Sequence, residues 1–204
     1  MKAKDLTIDQ IWTHITDKVM GASAHCEMWA ALSNIIGHNL SALHELHKRE
    51  MLADCGPLLK LSKSAHMVTM TMALCSLYER PDKTECVTLQ SYRDKVSECL
   101  AIPPDIDRRI ATAYPTARKL YKIRSNYFAH GLAVTCTRNI FEEVGLSDNL
   151  VINLVAETKD LVVDLANVEG RKSFDLHTDR DVAGRLALTN ASLLKAIGLE
   201  SKTV

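Results

Sequence analysis

The chain has 204 residues, 25 basic and 25 acidic, so its formal net charge is zero; hydrophobic residues make up 47% and aromatics only 5%. The length fits one domain, or one domain with an appendage, and the apolar fraction is enough for a real core. A neutral chain excludes a protein that coats nucleic acid along its whole surface, so any such site must be local.

No window approaches the ~18 apolar residues of a membrane span. Met1-Lys-Ala-Lys-Asp-Leu6 lacks the apolar run of a signal peptide. The expectation is a cytoplasmic protein with no membrane partner. Its six cysteines, 26, 55, 75, 86, 99 and 136, include no Cys-x-x-Cys pair. They read as reduced, small core residues rather than a zinc or disulfide framework.

In chain order the periodicity is helical nearly everywhere. Ile8, Ile11, Trp12, Ile15 and Val19 form an apolar stripe, with Thr7 and Gln10 as a capping box before it. Gly21 and Ser23 read as punctuation. Trp29, Leu32, Ile36, Leu40, Leu43 and Leu46 mark a long second helix ending before Gly56-Pro57. A third runs from about Leu58 to Leu77, with Leu61, Ala65, Val68, Met72 and Cys75 expected inward, and Arg80-Pro81-Asp82 ends it. Met67, Met70 and Met72 look like packing.

A fourth helix fits Leu89–Leu100. Pro103-Pro104 is a stop and restart. Pro115 lies inside the next pattern, so residues 104–130 are one kinked helix or two. Gly131 closes it after His130, and a short helix around Asn139–Val144 ends at Gly145. Ser147 caps a long helix through Val168, with Leu150, Leu154, Leu161 and Leu165 on its apolar stripe. Val151-Ile152 and Val162-Val163 are β-branched but keep helix period. Residues 170–178 read as a loop and Asp179–Ile197 as a final amphipathic helix. The expected fold is all-α, an up-and-down bundle over residues 1–169. Residues 170–204 add a loop and a C-terminal helix, packed on the bundle or swapped onto a partner.

Charge is unevenly placed. From Arg108 to Arg138 there is no acid but seven basic residues: Arg108, Arg109, Arg118, Lys119, Lys122, Arg124 and Arg138. The next stretch reverses sign, with Glu142, Glu143, Asp148, Glu157, Asp160, Asp164 and Glu169 against Lys159. Two neighbouring helices of a bundle would show this pattern, and so would a local phosphate-binding face.

Tyr121-Lys-Ile-Arg-Ser-Asn-Tyr-Phe-Ala-His-Gly-Leu-Ala133 carries the chemistry. Arg124 can hold a phosphate by charge and paired donors. His130 can move a proton near neutral pH. On a straight helix the two lie ~120° apart and ~9 Å along the axis, so they share no face. A bend, long side-chain reach, or a second copy across a dimer would bring them to one phosphate. The plainer reading is also open: His130 favoured as a cation by the helix end, and Arg124 bridging to an acidic neighbour.

Arg-Ser-Asn-Tyr-Phe-Ala-His resembles the signature of the HEPN superfamily, an arginine and a histidine separated by four to six residues, here five. The isoleucine before the arginine and the aromatic pair after it look most like the branch named after abortive-infection U-type proteins. The layout over residues 25–168 is similar too, with a Leu-Tyr-Glu-Arg-Pro-Asp turn at 77–82 and the motif some way downstream. The resemblance implies a homodimer with facing motif helices. It also implies a metal-independent endoribonuclease of a toxin, phage-defence or stress system, with RNA and an antitoxin or other protein as partners. Arg124 and His130 would be catalytic, and Arg118, Lys122, Ser125, Asn126 and Tyr127 would flank the RNA phosphate. Other members bind a protein or nucleotide without catalysis. Ser125 stands where the family often has Asn, Asp or His, and Leu132 stands where one toxin branch has a modified tyrosine.

No cofactor and no metal are expected. His44 and His47 flank Glu45 one helical turn apart, with His38 and Glu50 near, but they lack the His-Glu-x-x-His zinc pattern and read as a solvated polar face. His14, His25, His66 and His177 read as isolated.

Overall fold

The computed structural model describes residues 5–36, 56–80, 87–125 and 141–171, with Ser192. Every regular element among them is a helix, and the fold is an all-α bundle. We number the helices α1 (Ile8–Asn34), α2 (Gly56–Leu77), α3 (Leu89–Ser97), α4 (Pro104–Ile123) and α5 (Asp148–Glu169). No helix among the described residues is long and apolar enough to cross a membrane. The expected C-terminal helix lies outside the described residues, Ser192 apart.

The helix ends follow the local chemistry of the sequence. Thr7 and Gln10 exchange backbone-to-side-chain hydrogen bonds, 2.9 and 3.3 Å, at the start of α1. Thr88 and Ser91 make the same reciprocal box on α3. Pro104 opens α4, where a missing N–H costs nothing. The Ser147 hydroxyl accepts from Leu150 N–H to open α5, and Gly170, at φ 79°, closes it in the left-handed conformation that favours glycine.

Two expectations about α1 and α2 need correction. Gly21 and Ser23 do not break the first helix, which runs unbroken from Ile8 to Asn34. A helical glycine costs only about 1 kcal/mol, and the buried stripe Ile15, Val19, Ala22, Cys26, Trp29 carries straight past it. Of the inward stripe expected on α2, Cys75 is buried and Val68 half-buried, but Leu61, Ala65 and Met72 are exposed, and Leu59, Met67, Met70 and Leu74 are buried outside that stripe. This helix is apolar on more than one face, so periodicity alone picks no side. Leu150 is likewise exposed on α5.

Pro115 sits within a single α4. It and Ala111, whose carbonyl loses its helical donor there, are both exposed, so water can serve that carbonyl.

The chain divides into two units, Met1–Ser23 with Met70–Thr178, and Ala24–Thr69 with Asp179–Val204. In the first, α4 runs against α5 and α3 also packs on α5. Its core includes Ile11, Leu74, Leu77, Tyr92, Leu120, Ile123, Leu161 and Leu165. In the second, Trp29, Leu32, Ile35, Leu59 and Met67 are buried. Of the cysteines described, Cys26 and Cys75 are buried, whereas Cys99 is exposed.

Candidate functional site

The basic stretch is not a continuous basic face. Arg109 donates to Glu157 at 2.6 Å and to Asp164 at 2.5 Å, both on α5. Arg108 pairs with Asp105, and Lys119 donates to the Gly145 carbonyl at 2.6 Å. Two of the seven cations, Arg109 and Lys119, therefore tie α4 to α5 or to a loop, and a third, Arg108, pairs within its own helix. The basic helix and the acidic one are neighbours, which accounts for much of the sign reversal in the sequence.

What remains is concentrated at the C-terminal end of α4. Arg118 and Lys122 are exposed and make no hydrogen bond or ion pair among the described residues. Arg124 follows Ile123 as the C-cap residue, its N–H shared between the carbonyls of Leu120 and Tyr121. Here the helix widens into a π-type turn over 124–125, a distortion frequent at functional sites. The Arg124 side chain is about one-third exposed, 31%. Its guanidinium lies 5.2 Å from the centre of the Tyr121 ring and 3.6 Å from Glu79 Oε1.

Glu79 comes from the turn after α2 and was not singled out by the sequence. Its side chain is only 11% exposed. The same Oε1 accepts from the Tyr121 hydroxyl at 3.2 Å. The carboxylate beside it, followed by partial burial and that hydrogen bond, raises the Tyr121 phenol above its ordinary value.

A cleft of about 430 Å³ opens beside this group, walled by Tyr78, Glu79, Tyr114, Arg118 and Tyr121, with Cys75 and Ala117 at its lining. Tyr114, Ala117, Arg118 and Tyr121 recur at i, i+3, i+4 and i+7 and so share one face of α4. The volume lies within the ~300–1,000 Å³ typical of small-molecule sites.

The back wall is fixed by one buried contact. The Tyr78 hydroxyl meets Thr158 Oγ1 at 2.8 Å, and that hydroxyl donates to the Leu154 carbonyl at 2.6 Å. Thr158 has one proton, so Tyr78 is the donor between them. Burial pushes the Tyr78 phenol up to about 12 and the Cys75 thiol up to about 12, the latter despite Arg124 nearby. Neither is a proton acceptor or nucleophile at neutral pH.

Of the sequence-nominated residues, Arg118, Lys122, Arg124 and Ser125 all fall on the last turns of α4 or just past it, with Ser125 half-buried; Arg118 lines the cleft, whereas Lys122, two residues from Arg124, lies on a different face of the helix from it. Asn126, Tyr127 and His130 lie outside the described residues, as do His44 and His47. Among the described residues, no three His, Cys, Asp or Glu side chains group as a metal site. His25 and His66, expected to be isolated, instead meet Nδ1 to Nδ1 at 2.7 Å. They are 41 residues apart, so no local pattern could have announced the pair.

No family model matches the chain, and no curated protein or solved structure matches it either.

Proposed function

We propose that the chain is a HEPN-type, metal-independent endoribonuclease of a toxin, phage-defence or stress system, acting as a homodimer. Arg124 holds the scissile phosphate and offsets charge in the transition state. His130 and its symmetry mate take the proton from the attacking RNA 2′-hydroxyl and give one to the departing 5′-oxygen. The bond from the 2′-oxygen to phosphorus forms as the bond to the 5′-oxygen breaks, which leaves a cyclic phosphate.

The observation that carries this is the grouping at the end of α4. Arg124 is partly exposed on a π-type turn beside an open, tyrosine-walled cleft, and Arg118, which lines that cleft, is spent on no internal contact among the described residues. The test is incubation of the full chain with total RNA in the presence of EDTA. Cleavage with cyclic-phosphate ends is expected, and intact RNA at high enzyme concentration rejects the proposal.

One observation favours a second reading, a non-catalytic helical module that dimerises and binds a protein or nucleotide. Arg124 already has a carboxylate partner in Glu79. In that case Arg124 ties the end of α4 to the turn after α2, and its removal lowers stability instead of activity.

A further inference from the structure

The cleft beside Arg124 has the composition of a base pocket rather than of a bare phosphate site. Two of its walls, Tyr114 and Tyr121, are aromatic rings on one face of α4, and both reach solvent at least in part. Between them stands Ala117, whose methyl group leaves the space that a larger side chain would fill. Arg118, exposed and without a partner among the described residues, lies on the same face. Aromatic rings next to unpaired cations are what single-stranded nucleic acid uses, the rings for bases and the cations for backbone.

Glu79 adds discrimination. A carboxylate only accepts hydrogen bonds. Among the described residues one hydrogen bond reaches the Glu79 carboxylate, from the Tyr121 hydroxyl to Oε1, with Arg124 3.6 Å from the same oxygen, so Oε2 keeps both acceptor positions and Oε1 keeps a second. Lining the cleft and nearly buried, it selects a base edge that presents donors. On unpaired RNA the Watson–Crick edge is available for such reading. Guanine alone offers two adjacent donors there, its N1–H and its N2 amino group, spaced to meet both oxygens of one carboxylate. Adenine and cytosine each put an acceptor beside their amino donor, and uracil flanks its N3–H with two carbonyls. Each of these sets a lone pair against the carboxylate.

We infer that the cleft lined by Tyr114, Ala117, Arg118, Tyr121 and Glu79 is a guanine subsite for single-stranded RNA, the base lying against the tyrosines and its donor edge on Glu79. This rests on the ribonuclease proposal for its substrate class, and it makes Glu79 a specificity residue.

The test is fluorescence anisotropy with the full chain and four labelled tetranucleotides that differ at one base. Their 2′-O-methyl sugars cannot be cleaved through the 2′-oxygen, so binding is read without turnover. The guanine oligonucleotide should bind about tenfold tighter than the other three, as expected when a buried acceptor is left unpaired. Replacing guanine by hypoxanthine, which lacks the N2 amino group, should lose much of that advantage. Glu79→Gln should abolish the preference, and Ala117→Leu should weaken all four by filling the cleft. Equal affinities, no binding by any of the four, or no loss with hypoxanthine overturn the inference; the hypoxanthine arm uses the unaltered protein and stands whether or not the variants fold. Guanine-selective binding by a protein that cuts no RNA sinks the ribonuclease proposal and leaves the pocket. Cleavage with no base preference, together with equal affinities, does the reverse.

Discussion

His25 on α1 and His66 on α2 face each other Nδ1 to Nδ1 at 2.7 Å, with ring centres 5.0 Å apart. At that separation there is room for one proton between the nitrogens and not for two. Burial, and then the neighbouring His25, lower the His66 value below its ordinary 6.5. The unfolded chain therefore binds this proton more readily than the folded one. The contribution is intact above about pH 6.5 and is lost as pH falls through the lowered folded value. The thermal midpoint should drop on acidification from neutral to about pH 5. His66→Gln should flatten that part of the profile, and an unchanged slope in the variant would assign the acid sensitivity elsewhere.

Catalysis is checked by two single substitutions. His130→Ala and Arg124→Ala should each reduce RNA cleavage ~100-fold or more. Circular dichroism should show the helical content retained. Chelators should leave the rate unchanged. Normal cleavage by His130→Ala is the result that ends the catalytic proposal.

RNA binding should depend on some of the basic residues and not others. Arg118→Glu and Lys122→Glu should weaken binding and lower the salt slope, by about one for each phosphate no longer neutralised. Arg108→Ala should do neither, because Arg108 stands elsewhere on α4 and pairs with Asp105. Titrations at several salt concentrations separate these outcomes. Equal effects from all three would mean diffuse attraction and no local site.

Thr158→Val keeps the shape of the side chain and removes the acceptor for the buried Tyr78 hydroxyl. An unsatisfied buried donor costs about 1–3 kcal/mol, measurable as a lower urea midpoint. Because Tyr78 also walls the cleft, nucleotide affinity should fall with it. Tyr78→Phe in the same background should restore stability, since the orphaned hydroxyl is then gone.

The sequence discloses the helices well and their neighbours poorly. Caps at Thr7 and Ser147 are local chemistry, written in adjacent residues, and they form as read. The all-helical class follows from the same short-range periodicity. Gly21 misleads because a lone glycine is weak punctuation when the apolar stripe continues through it. The outward turn of Leu61 and Met72 misleads for the opposite reason: α2 offers apolar residues on both sides, and only the packing decides.

At the candidate site, Arg124 was legible as a candidate phosphate ligand, because its spacing to His130 resembles the HEPN signature. Glu79 was not, since its role depends on the turn after α2 meeting the end of α4, far along the chain. Its place in Leu-Tyr-Glu-Arg-Pro-Asp marked a helix end and a part of the resemblance, but no contact with α4. Similarly, the run from Arg108 to Lys122 shows its charge openly but not the carboxylates on α5 that consume part of it.

Arg109 reaches two carboxylates, Glu157 and Asp164, that stand two turns apart on α5. Such a grip works as a detent. Sliding α4 along its neighbour by a single turn, ~5.4 Å, would break the two-handed grip, so the seated position is favoured over its neighbours. The helix that carries Tyr114 and Arg118 is thereby indexed against the helix that carries Thr158. A guest in the cleft meets a jaw whose hinge is held, with the exposed Arg118 side chain at its wall free to turn toward it.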